Sequence, residues 1–295
     1  MRSCRRFTFT AGLAGLAAAL LALSVAAEPP KTREAGKLYV ALNGDMPMTS
    51  IDNGKLIGTD GEMMALIAER LGLKVEPQLM EWSAEIQSTK QGKTDIMHGA
   101  MGWLEPRTKI MLLTDPVYYF GTLLAQKTKN KWTTFEDMKG RKVATVTGFT
   151  LVPELKTVEG IGEVKLYDTS DAVLRDLVAE RIDMAILDPP LMQLAIQQHP
   201  EWELHQLPLV AKPDKYPVMS TKYSVIFGIA PELKELHAAF NTEINKLWAD
   251  CTNVKIMSKY GLSDKSWFEP PNPNPRIGVD RPQDWKSPTG EHCFK

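Results

Sequence analysis

The stretch Lys90–Met101, KQGKTDIMHGAM, has a counterpart in Val178–Pro190, VAERIDMAILDPP. In each, a helical segment ends, a basic residue (Lys93, Arg181) stands two places before an Asp (Asp95, Asp183), and a short apolar strand follows. Each strand leads to one charged residue, Arg107 after the first and Asp188 after the second. In open α/β sheets, ligands sit beyond the carboxyl ends of the strands. Two such units therefore offer a cation from one lobe and an anion from the other. That pair suits a small zwitterion held in a cleft.

The pattern extends in both directions. Lys37–Asn43 reads as a buried strand, followed by a Pro/Gly/Asp-rich loop, Gly44–Gly61. Thr59 or Asp60 is placed to cap a helix whose apolar face is Met64, Ile67, Ala68 and Leu71. Leu73–Met80 is then a strand, Ser83–Gln91 a helix and Asp95–Ala100 a strand, a parallel α/β order. Leu123–Lys127 reads as a crossing strand and Arg141–Thr147 as another strand. Gly148-Phe149-Thr150 is expected to open a helix. Val164–Tyr167, Asp171–Glu180, Ile182–Leu187 and Pro189–Gln198 repeat strand, helix, strand, helix. Tyr223–Gly228 is a strand, and Glu232–Ala249 and Cys251–Gly261 are the last helices. Six prolines from Pro270 to Pro288 make the remainder an irregular tail rather than a domain.

The chain's 295 residues are too many for one small core and fit two lobes. Basic and acidic residues number 35 and 36, with no basic stripe carrying interleaved aromatics, which argues against nucleic acid. Residues 1–27 read as a signal peptide: Arg2, Arg5 and Arg6 precede the apolar run Ala11–Val25, and Ser24, Ala26 and Ala27 are small enough for cleavage. The protein is therefore expected in the periplasm. Without that segment two cysteines remain, Cys251 and Cys293. An oxidising compartment favours joining them, worth roughly 3–4 kcal/mol by loop entropy; two separate thiols are the other reading.

Several motifs together make the chain resemble the family 3 solute-binding proteins of bacterial ABC transporters, the amino-acid-binding group. These are GKLIGTDGEMMALIAERLGLKVEP, EWSAEIQSTKQGKTDIMHGAM, LEPRTKIMLLTDPVYYFG, TFEDMKGRKVATVTG and ERIDMAILD. The resemblance spans about residues 37–261. It implies a two-lobed α/β fold of the type II periplasmic-binding-protein kind, with two mixed, mainly parallel sheets flanked by helices. Lobe 1 would be residues 37–120 plus 223–262, lobe 2 residues 121–222, and 263–295 the tail. Two crossings near Gly121–Gln126 and Pro217–Lys222 would form the hinge. The implied partners are a small amino acid or related carboxylate and a membrane permease, with the protein itself a monomer.

The resemblance also implies site residues. Arg107 matches a carboxylate-binding arginine, a role suited to a planar fork of donors; the plainer role is a salt bridge with Glu105. Asp188 matches the residue that binds a ligand ammonium, or it caps the helix at Pro189. Gly148, Phe149 and Thr150 match a turn at a helix N-terminus, where free N–H groups favour an anion. Trp82 matches a position lying against the ligand. Asn43 and Asp45 lie on a loop that lines such pockets, though both residue types also suit turns. At Ala100–Gly102, backbone groups including those of Gly102 replace the usual hydroxyls. The softer, more apolar pocket points to an apolar or aromatic amino acid.

No cofactor or metal motif is visible, and no enzyme is expected. A dehydratase of the same fold would need a carboxylic acid poised as a general acid, for which Asp188 is the candidate. An accessory protein that binds a quinoprotein dehydrogenase is a further alternative, with the tail as its contact.

Overall fold

The computed structural model describes residues 28–294, so the expected signal peptide lies outside the described residues. In chain order the regular elements are β1 (Lys37–Leu42), β2 (Ser50–Asp52), β3 (Lys55–Ile57), α1 (Thr59–Arg70), β4 (Lys74–Leu79), α2 (Trp82–Lys90) and β5 (Ile96–Met97). There follow β6 (Leu112–Leu113), β7 (Tyr118–Phe120), β8 (Leu123–Lys127), β9 (Lys142–Val146), α3 (Val152–Leu155), β10 (Glu163–Tyr167) and α4 (Ser170–Val178). The last are β11 (Met184–Ala185), α5 (Pro189–Gln198), β12 (Leu204–Pro208), β13 (Tyr223–Val225), β14 (Gly228–Ile229), α6 (Lys234–Ala249) and α7 (Thr252–Lys259).

Two five-stranded sheets result. The first runs β4-β1-β5-β14-β6 and the second β10-β9-β11-β8-β12. In the first, β1 is parallel to β4 and β5, while β14 runs antiparallel to β5 and β6. In the second, β9 is parallel to β10 and β11, while β8 runs antiparallel to β11 and β12. Each sheet is thus a βαβ unit joined to an antiparallel return, which makes the fold the type II periplasmic-binding-protein kind. The chain passes between the sheets along β7 and β13, an antiparallel pair with Tyr223 opposite Phe120. That pair is the hinge.

The helical faces read in the sequence bury themselves as expected: Met64, Ile67 and Ala68 of α1 and Leu236, Phe240 and Leu247 of α6 are inaccessible to solvent. Two local expectations fail. Neither Thr59 nor Asp60 caps α1, which starts at Thr59 after Gly58. Asp60 turns inward instead, and its carboxylate accepts the Ala100 N–H at 2.7 Å. The helix expected after Gly148-Phe149-Thr150 is also a single turn, α3, beginning at Val152.

The tail crosses the back of lobe 1 and is fixed there by a disulfide between Cys251 and Cys293. It contains only short 3-10 turns, Lys265–Phe268 and Glu291–Phe294.

Candidate functional site

Arg107 lies on a 3-10 turn, Glu105–Lys109, that starts beside Pro106 and directly precedes β6. The residue is 6% exposed, and its side chain lies where the lobes meet, beside residues that line the gap. Among the described residues no carboxylate comes within ion-pair distance, so the surface bridge to Glu105 does not form. Instead Nη1 donates to the Gly102 carbonyl at 2.6 Å and to Thr150 Oγ1 at 3.0 Å, and Nη2 donates to the Gly148 carbonyl at 2.9 Å. The guanidinium therefore joins lobe 1 to lobe 2. Burial brings its pKa down to about 10, with Asp188 pulling the other way, so it stays charged at neutral pH. The Trp82 ring centre lies 5.7 Å from it, close enough for a cation–π attraction.

Asp188 ends the buried run Met184–Leu187 and precedes α5. It makes no capping bond to that helix, so the plainer role does not apply. The residue is 8% exposed and lines the gap, and its carboxyl receives no hydrogen bond from any described residue. Burial, and then the neighbouring Asp45 and Asp60, hold it well above the usual carboxylate range, against the pull of Arg107.

The turn Gly148–Thr150 departs from the expected anion site. With α3 reduced to one turn, this segment brings no extended helix to the gap. Gly148, at φ 84°, presents its carbonyl, which accepts from Arg107 and from Trp82 Nε1 at 3.3 Å. The turn is thus an acceptor, and the cation it receives belongs to the protein. Thr150 Oγ1 takes one Arg107 N–H and lies 3.3 Å from the Gly102 carbonyl. Phe149 meets Trp82 edge-on, with ring centres 6.0 Å apart.

Gly102 explains the missing hydroxyl at its position. A Cβ there would stand 3.1 Å from Thr150 Oγ1 and 3.3 Å from the Tyr223 ring. The lobes approach this closely because residue 102 has no side chain.

These groups surround about 430 Å³ of empty space, lined by Trp82, Gly102, Phe149, Thr150 and Asp188 together with Phe120, Thr122 and Tyr223 of the hinge. Asn43 and Asp45 are elsewhere. They border a second hollow of about 1250 Å³ on the far side of Trp82, with Glu81, Asp168, Asp171 and Arg175. Asp45 there accepts Ser170 Oγ from lobe 2 at 2.7 Å and Asn43 Nδ2 at 2.9 Å. Burial pushes its pKa up to about 6, opposed by Ser170 and reinforced by Asp171 and Glu81. Sequence reasoning missed Tyr223, Thr122 and Ser170. Nothing in their local sequence marks them, because they reach the cleft only when the crossing strands pair and the lobes meet.

Among the described residues the one grouping of metal-ligating side chains is Cys251, His292 and Cys293. Its two sulfurs are joined to each other and so are not thiolate ligands.

Comparison with known proteins bears on this cleft. Residues 38–263 match the family described as bacterial extracellular solute-binding proteins, family 3. The histidine-binding periplasmic protein of Escherichia coli (strain K12) is 27% identical over 217 residues, which is 70% of this chain and 80% of that one. Among solved structures, an ancestral arginine-binding protein bound to arginine superposes with a TM-score of 0.67 at 26% identity, covering 76% of this chain and 98% of that one. The ancestral amino acid-binding protein AncCDT-1, a precursor of cyclohexadienyl dehydratase, shares the fold with a TM-score of 0.65 at 24% identity, covering 76% and 95%.

Proposed function

This chain belongs to the bacterial extracellular solute-binding proteins of family 3, and we propose that within it the chain reversibly captures a small amino acid in the interlobe cleft for delivery to an ABC permease. The observation that carries this reading is Asp188. A buried carboxyl with no hydrogen-bond partner, facing the same space as a buried arginine's partners, favours a ligand that supplies an ammonium. Three of the five Arg107 N–H donors are in use, which leaves Nε–H and one Nη2–H to take a ligand carboxylate side-on. Binding closes the circuit: the ammonium pairs with Asp188, and the carboxylate takes the free Arg107 donors. Phe120, Phe149, Leu151, Ile186, Leu187 and Tyr223 supply apolar walls, which favour an apolar or aromatic side chain. Because the lobes already touch through Arg107, a ligand enters only when they part.

The test is a thermal-shift screen with amino acids, their amides and simple carboxylates, since a ligand raises the melting temperature by mass action. A zwitterion should shift the melting point where its amide and its deaminated analogue do not. A screen in which no zwitterion shifts it refutes the reading. A carboxyl held above its usual range is also suited to act as a general acid, so the same samples are checked for a changed ligand. Recovery of intact ligand supports capture, and a dehydrated product would establish catalysis instead.

A further inference from the structure

The family match ends at residue 263, and residues 264–294 add a segment that is sewn to the hinge. Asp264 accepts the Ser266 N–H at 2.8 Å and starts the turn Lys265–Phe268, which packs on hinge strand β7. Lys222, one residue before the other hinge strand β13, donates Nζ to the Ser266 carbonyl at 2.9 Å and to the Glu269 carbonyl at 3.2 Å. Tyr119 of β7 donates its hydroxyl to the Pro288 carbonyl at 2.8 Å. The tail therefore bonds to both crossings.

Its other attachments are to lobe 1 beside the hinge. Arg276 is fully buried, donates to the Thr114 carbonyl at 2.8 Å and pairs with Asp280 at 2.7 Å. Arg281 pairs with Asp115 at 2.9 Å. Residues 114–115 lead directly into β7. Near the end, the Gly290 N–H meets the Phe268 carbonyl at 3.0 Å, and Phe268 packs edge-on against Trp248. The disulfide then fixes Cys293 to Cys251, between α6 and α7. On the lobe 2 side, Ser266 and Trp267 share a hollow with Leu123 and with Pro189, the first residue of α5. Gln193 of the same helix donates to the Gly261 carbonyl at 3.2 Å. Asp188 immediately precedes that helix.

We propose that residues 264–294 are a strap that biases the hinge toward closure, with the Cys251–Cys293 disulfide as its fastening. Hinge closure is a backbone change confined to a few crossing residues. Groups bonded to both crossings must shift or break when the lobes part. The contacts with Lys222, Leu123 and Pro189 are made with the lobes together, so they favour that form, while those to residues 114–115 and the disulfide anchor the tail on lobe 1. The disulfide reduces the detached conformations open to the tail.

The test uses the full chain without ligand, oxidised and then reduced by dithiothreitol. The dithiol becomes a cyclic disulfide, and the two cysteine sulfurs gain two electrons and two protons to become thiols. Small-angle X-ray scattering reports the ratio of closed to open molecules, and hydrogen exchange reports the Gly121 and Thr122 amides. Reduction should lower the closed-to-open ratio about fivefold, the change expected when one ordinary hydrogen bond distinguishes the two forms. Lys222→Met, with the disulfide intact, should move scattering and exchange in the same direction. Identical profiles for the oxidised, reduced and Lys222→Met proteins overturn the proposal. If reduction unfolds lobe 1, seen as lost near-ultraviolet circular dichroism, the comparison of Lys222→Met with the oxidised protein decides alone.

Discussion

On the hinge side of Trp82 the lobes meet through Arg107, Gly148 and Thr150 around about 430 Å³ of space; on the far side Asp45 and Ser170 border a hollow of about 1250 Å³. At the inner end a protein cation is satisfied by protein carbonyls, while a protein acid, Asp188, is left without a partner. At the outer end the acid, Asp45, already has its donors in Ser170 and Asn43. A ligand at the inner end therefore meets an acid without a partner and two Arg107 N–H groups not yet in use. At the outer end there is less to gain, because Asp45 already has its donors.

The contrast breaks most visibly at Arg107. Arg107→Ala should cost about 3–5 kcal/mol in zwitterion binding, measured by calorimetry, since it strands the ligand carboxylate in a buried site. An unchanged Kd would remove Arg107 from the ligand site and leave it only as a link between lobes. Next comes Asp188→Asn, expected to weaken ammonium-bearing ligands by about 2–3 kcal/mol while sparing carboxylates that lack the amine. A matching feature is pH dependence. The ligand-free carboxyl is held above the usual carboxylate range and a bound ammonium favours its ionised form, so affinity should rise with pH until the carboxyl is ionised in both forms. That slope should vanish in Asp188→Asn.

At the outer end the effect falls on stability. Asp45 has a folded pKa of about 6, raised from the model-compound value of 3.8. The native state thus holds a proton that the unfolded chain has released, and stability falls as pH rises from about 4 to about 6. Asp45→Asn should flatten that fall and stabilise the protein at pH 7 by at most about 3 kcal/mol. Asp60, also at about 6 and buried, adds a decline of the same sign that the substitution leaves in place. Unfolding midpoints across pH check this; a parent protein whose stability rises through that window contradicts it. The smallest effect is at Gly102. Gly102→Ala should disfavour contact between the lobes by about 1 kcal/mol, because the neighbours at 3.1 and 3.3 Å must give way. Scattering that shows no shift toward the open form would mean that Tyr223 and Thr150 yield freely.

The fold was legible because it rests on local periodicity. The apolar faces of α1 and α6 and the strand runs at 37–42 and 184–187 declare themselves within a few residues. What escaped depends on distant partners. Asp60 looks like a helix cap until Ala100, forty positions on, supplies the N–H it accepts. Gly148–Thr150 looks like the mouth of a helix, but Pro153 and the turn before it leave only Val152–Leu155 helical. Arg107 and Asp188 were found as types and positions. That one would be engaged by carbonyls and the other unpaired follows from how the lobes meet, which no spacing encodes. Asn43 and Asp45 read as cleft residues from their loop, yet Trp82 stands between them and the inner space.

The position of β14 fixes the order in which the molecule can be completed. Residues 228–229 lie between β5 and β6 and pair with both. The first sheet thus remains two unjoined pieces until after every strand of the second has been made. A chain emerging amino end first can finish lobe 2 while lobe 1 still displays raw strand edges. A chaperone acting on the nascent protein would find its target in the half that was begun earliest.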